Sequence, residues 1–178
     1  MLHILTILAA LSQASTMSID TPKNAAEAFA ALEGNWQGQL EYRDYQTDRM
    51  QAIPLSVEFD TIPDETTFVQ RSNFTDPGFP VRITTLVNAV GETVNVASSR
   101  AGREFETYAQ TARITDAVDG DNWTMTLSRI GKDDNRPAAI REVMIRNQGN
   151  LTVTKEVDFL DDDVAEWTFR NRVTLAAQ

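Results

Sequence analysis

The chain has 178 residues, 42% hydrophobic and 24% charged, with 26 acidic against 16 basic residues and a net charge of −10. This length and composition suit one globular domain large enough to bury a core. The charge repels phosphate backbones and anionic bilayer surfaces, which argues against nucleic acid or such a membrane as partner. There is no cysteine, and His3 is the only histidine. Disulfides, zinc–thiolate sites and cysteine nucleophiles are therefore excluded. Without the extreme N-terminus, so are histidine-ligated metals and Ser-His-Asp triads.

Residues 4–11, ILTILAAL, form a short apolar run, and Ser12-Gln13-Ala14 offers a small-x-small cleavage pattern. This reads as a secretory signal peptide over 1–14, although its first residues carry no Lys or Arg. The expectation is a mature chain over 15–178, periplasmic or secreted. No run approaches the ~20 apolar residues of a bilayer-spanning helix, so no membrane insertion is expected.

A helix is predicted over 24–33. Asn24 and Glu27 make a capping box, and Pro22 precedes it. Ala25, Phe29 and Leu32 fall on one face, and Gly34 sits where a helix stops. Beyond Gly34 the period changes from 3.6 to 2. Trp36, Gly38, Leu40 and Tyr42 alternate with polar residues, and so do Ile53, Leu55, Val57 and Phe59. Val81, Ile83, Thr85 and Val87 repeat the pattern, followed by Trp123, Met125 and Leu127, then Leu151, Val153 and Val157. Each run reads as a strand with one dry face and one wet face.

Turn signals separate these runs, among them Asp133-Asp134-Asn135 and Gln148-Gly149-Asn150. Strands in simple succession with no intervening helix favour an all-β, antiparallel up-and-down barrel of about 8–10 strands, which leaves no exposed edge. The short N-terminal helix then caps one end.

Two segments carry a resemblance. Leu32-Glu33-Gly34-Asn35-Trp36 places a Gly-x-Trp at the start of the first strand, after a short helix. The last strand reads Glu166-Trp167-Thr168-Phe169-Arg170-Asn171-Arg172-Val173. The pair resembles the lipocalin, or broader calycin, arrangement. That resemblance implies that Gly34 and Trp36 close the barrel base, with Arg170 or Arg172 across the indole through a cation–π contact. Second and third lipocalin motifs are absent. The outline is also similar to ten-stranded haem-binding barrels, but no histidine after His3 is present to ligate iron.

Several residues are candidates for a ligand site. Tyr42 and Asp44 continue the face of Trp36 and would point inward at the far mouth. Arg71, Asn73, Asn95, Glu142, Arg146 and Lys155 interrupt apolar strands. Inside a barrel such groups are structural ion pairs or ligand contacts; with the strand phase shifted by one they face water. The acidic run Asp158, Asp161, Asp162, Asp163 and Glu166 lacks calcium-loop spacing and reads as a solvated turn. No catalytic residue, metal or cofactor is expected.

The leading functional expectation is an exported small-molecule-binding protein enclosing a mostly apolar ligand. Its site residues would be Tyr42, Asp44, Arg71, Asn73, Asn95 and Lys155. The alternatives are a structural barrel filled by Trp123, Met125, Phe59 and Phe105, and an enzyme using carboxylate, Tyr and Arg groups at the mouth. A cavity of about 300 Å³ or more would separate the first two. The sequence leaves the oligomeric state open.

Overall fold

The structure is a computed structural model that describes residues 20–178 except 45, 46, 77 and 79. The proposed signal peptide lies outside the described residues. One helix, α1 (Ala25–Ala30), precedes ten strands: β1 (Gly34–Asp44), β2 (Arg49–Thr61), β3 (Thr67–Phe74), β4 (Val81–Val90) and β5 (Thr93–Arg100), then β6 (Glu106–Asp119), β7 (Asn122–Asp133), β8 (Arg136–Asn147), β9 (Asn150–Phe159) and β10 (Thr168–Ala177). Each strand pairs antiparallel with its neighbour in sequence, and β1 pairs with β10. The expected up-and-down barrel is thus closed, with ten strands.

Local chemistry accounts for the hairpins. Asp134–Asn135 and Gln148–Gly149 both take positive φ at two successive residues. That conformation matches the twist of two-residue hairpins and favours Asn, Asp and Gly. The closing seam needs a glycine for a different reason. A Cβ on Gly38 would lie 1.9 Å from the Thr174 carbonyl oxygen, so only a bare Cα lets β1 approach β10.

The helix stops three residues earlier than its sequence pattern suggests. Asn24 caps it by accepting the Glu27 N–H at 3.0 Å. After Ala30 the chain tightens, with Leu32 N–H donating to Phe29 and Glu33 N–H to Ala30. Gly34, at φ +119°, then opens β1. The helix lies against β3, β4, β6 and β7 and plugs one barrel end. Phe29 meets Phe68 there at 5.6 Å between ring centroids. Trp36 is buried beneath the plug and donates its indole N–H to Leu32 O at 2.7 Å.

The cation over Trp36 is neither Arg170 nor Arg172. Arg146 of β8 holds that position, 5.2 Å from the ring centroid. It donates to Asp121 at 2.5 Å and to the Ala31 carbonyl just past the helix end. The reason is register: Trp36 pairs with Ala177, whereas Arg172 pairs with Glu41. Five residues of strand separate Arg172 from that height, roughly 16 Å at about 3.3 Å per residue. Nor do the two arginines share a face. A register shift between Phe169 and Asn171 turns Arg170 inward, while Arg172 stays exposed over Phe169.

Arg146 therefore ties the helix plug, the β6–β7 turn and the base tryptophan together. Truncating Trp36 to Ala is expected to cost about 3–5 kcal/mol. In urea melts, a double-mutant cycle should show coupling of about 0.5–2 kcal/mol between Trp36 and Arg146. Coupling to Arg172 in place of Arg146 would contradict this register.

Candidate functional site

A closed pleated wall points every second side chain into a finite interior. Near α1 the inner rows are apolar: Leu55, Val57 and Phe59 on β2, Val87 on β4, Met125 and Leu127 on β7, Leu151 on β9. Toward the opposite end polar residues enter these rows, beside a second apolar cluster of Ala138, Ile140, Val157 and Phe159. The inward phase of Trp123, Met125 and Leu127 continues through Arg129, Gly131 and Asp133. On β8 it runs from Met144 back to Glu142, and on β9 from Leu151 and Val153 to Lys155.

Between the two regions lies a cavity of about 170 Å³. Most of its wall is apolar, including Phe29, Phe59, Val87, Leu127 and Val153. Tyr108, Gln110 and Glu142 supply polar atoms, and so do Gln70 and Ser72. Gln70 donates to Ser72 Oγ at 2.9 Å. The side-chain amide of Gln110, the hydroxyl of Tyr108 and the carboxyl of Glu142 have no hydrogen-bond partner among the described residues, and Gln110 is only 7% exposed. Only Gln110 of the three is buried; Tyr108 and Glu142 are half-buried, and all three line the cavity.

Charges stand behind this wall. Burial pushes the Glu142 carboxyl above its ordinary range; Arg129 and Lys155 oppose that rise and Glu106 adds to it. Burial also pushes the Tyr108 hydroxyl up to about 12, with the Glu142 charge adding to the effect, so Tyr108 remains a donor. The Arg129 guanidinium lies 4.2 Å from the Tyr108 ring centroid. Gly131 makes room for it, since a Cβ there would come within 2.5 Å of Arg129 Nη1. Asp133 takes an ion contact from Lys155 at 2.7 Å on one oxygen and from Arg170 at 2.6 Å on the other.

The sequence-predicted site residues separate into groups. Lys155 points inward as expected, but toward Asp133. Tyr42 and Asp44 are half-buried on the inner row of β1 and do not line the cavity. Asp44 accepts the Thr47 N–H at 3.0 Å and so caps the β1–β2 turn. Arg71, Asn73 and Asn95 face outward, because the inner rows of their strands are Phe68, Gln70, Ser72 and Phe74 on β3, and Val94 and Val96 on β5. Arg71 ion-pairs with Glu58 and Asp60 on the outer wall of β2. These three positions follow the shifted phase, and the inward expectation is corrected. Phe105 is 64% exposed and fills no interior. Asp161 and Asp162 of the acidic run are engaged by Arg136.

Sequence reasoning missed Tyr108, Gln110, Arg129 and Asp133. The signal for the last two was present, since the alternation that begins at Trp123 carries on past Leu127. Tyr108 and Gln110 share the β6 inner row with Ala112 and Ile114, where alternation is weak.

No protein-family model matches the sequence, and no curated protein gives a significant match. Among solved structures, the chain is similar to Rv2717c from M. tuberculosis, with a TM-score of 0.61 and 17% identity, over 86% of this chain and 98% of that one. A protein with unknown function from the DUF3598 family of Nostoc punctiforme aligns over 88% of this chain and 100% of its own, at 9% identity and a TM-score of 0.28. The first likeness shows the barrel fold alone, and the second is too distant to bear on it.

The raised Glu142 carboxyl makes stability depend on pH. An acid that is weaker in the folded state contributes stability fully present below its unfolded value, here 4.5, and lost as pH rises through the folded value. Glu142→Gln is expected to match wild type in urea melts near about pH 4 and to exceed it near about pH 8. An identical stability difference at both pH values would show that the carboxyl is not desolvated.

Proposed function

We propose that this protein is an exported, calycin-like binding protein that transports or sequesters a small, mostly apolar molecule held inside the barrel. The observation that carries this reading is the set of unpartnered polar side chains, Tyr108, Gln110 and Glu142, on the wall of an otherwise apolar cavity. A molecule with an apolar body and one polar end would give those groups hydrogen-bond partners.

The cavity sets the size. Drug-sized ligands occupy roughly 300–1,000 Å³, whereas about 170 Å³ is available here. A cavity of about 150 Å³ accommodates benzene, so the ligand is close to a single ring in bulk. The volume also falls below the ~300 Å³ that would have separated a hollow barrel from a filled one; the unpartnered wall, not size, favours the hollow reading. The calycin reading keeps Trp36 as the base tryptophan and takes its basic partner from β8. Export is supported by the apolar run over 4–11 and the small residues that follow.

Native mass spectrometry of the full chain purified from its own host tests this reading. A non-covalent small-molecule adduct is expected on wild type and should be lost in Val153→Phe, which fills the cavity wall from β9. Wild type that flies only as bare protein, with a melting temperature that benzene does not raise, would contradict it.

A further inference from the structure

We infer that the stack of Arg129 on Tyr108 is a gate, through which a molecule passes from the mouth of the barrel into the cavity. This inference rests on the ligand-binding reading above and adds its route.

The other approaches are obstructed. At the base, α1, Trp36 and Arg146 fill the opening with buried side chains. At the mouth, the β7–β9 sector is packed with Ala138, Ile140 and Val157, exposed by 0, 2 and 0%. Asp133 of β7 ties this sector to β9 and β10 through Lys155 and Arg170. Along β1 and β2 the inner rows stay half-buried toward the mouth at Tyr42, Asp44 and Ile53.

The β4–β6 sector differs. A cleft open to solvent lies there, lined by Ile83, Ser98, Arg100 and Glu106 with the β5–β6 turn. These side chains continue the inner rows that wall the cavity at Thr85, Val96 and Tyr108. One pleat repeat along a strand, about 6–7 Å, separates cleft from cavity. The register sets Thr85 opposite Ser98 and Val96 opposite Tyr108. The boundary is therefore a single row, in which the hydroxyls of Thr85 and Ser98 share a hydrogen bond at 3.2 Å beside Tyr108.

The way Arg129 is held makes this boundary movable. Its guanidinium lies 4.2 Å from the Tyr108 ring centroid and does not itself line the cavity. It has no ion pair within 4 Å among the described residues, and its buried Nε lacks a hydrogen-bond partner. Lys155 and Arg170, by contrast, are anchored on Asp133. A stacked cation is held less firmly than one locked in a buried ion pair. Turning outward gives the Nε a partner in water, and Glu106, exposed two residues along the β6 inner row from Tyr108, offers an anion at the rim. Without the guanidinium behind it, the Tyr108 ring is free to turn and join cleft to cavity. The closed position depends on Gly131, since a Cβ there would come within 2.5 Å of Arg129 Nη1.

Fluorine NMR of the full chain with fluorobenzene, a single ring, tests this inference by reading exchange between free and bound ligand. Arg129→Met keeps an apolar stem and removes the guanidinium; Gly131→Ala displaces the guanidinium from its place. Both variants are expected to raise the association and dissociation rates together, by at least about fivefold, with Kd within about twofold of wild type. A residue that merely supports the wall acts differently, because losing its contact speeds dissociation alone and weakens Kd. Unchanged rates in either folded variant, or faster dissociation with an equal loss of affinity, would overturn the gate and leave the ligand-binding reading standing. Failure of fluorobenzene to bind wild type and both variants would overturn both.

Discussion

A strand inside a closed ring has no free choice of which side chains it hides. Its pleat sends alternate residues to the same interior, and pairing on both sides fixes the height of each one. In this protein the β1–β10 seam completes that constraint. Gly38 lets the two strands approach, and the pairing of Trp36 with Ala177 sets the register at which they meet. The position of every inward side chain follows from that closure.

The interior that results has two unlike ends. At one, α1, Trp36 and Arg146 form a plug in which each buried polar atom is used: the indole N–H reaches Leu32, and the guanidinium reaches Asp121 and Ala31. Arg146 also supplies the cation over the tryptophan, so one side chain fastens the helix, the base and the β6–β7 turn. At the other end the inner rows carry charge beside a second apolar cluster of Ala138, Ile140 and Val157. Asp133 is ion-paired with Lys155 and Arg170, although its Oδ2, like the Arg129 Nε, is buried without a hydrogen bond; Tyr108, Gln110 and Glu142 line the cavity. Polar side chains on the wall of a mostly apolar cavity are the basis for the ligand-binding proposal.

Much of the fold was legible from the sequence, since period-2 alternation names the inner face wherever that face is apolar. The strands at Trp36, Leu55, Val87, Trp123 and Leu151 have the phase their hydrophobic residues suggest, and Asn24 caps the helix as its spacing implies. Legibility fails where the inner row is itself polar. Arg71, Asn73 and Asn95 look like intrusions into apolar strands, yet they belong to the outer row, and their phase is set by neighbours such as Ser72 and Val94. The inner row of β6 at Tyr108 and Gln110 has too little hydrophobic contrast to declare itself. Arg170 was unreadable for another reason: a bulge changes strand parity, and no single residue announces it. The candidate site therefore combines one residue that sequence flagged, Glu142, with partners that only barrel closure brings beside it.

The central claim is that the polar wall faces space rather than protein. A high-resolution crystal structure of the full chain tests it most directly. The account requires ordered non-protein density, water or ligand, within hydrogen-bond distance of both the Gln110 amide and the Glu142 carboxyl. A barrel in which Phe29, Met144 or other side chains fill that space, with Gln110 and Glu142 hydrogen-bonded to protein, would contradict it.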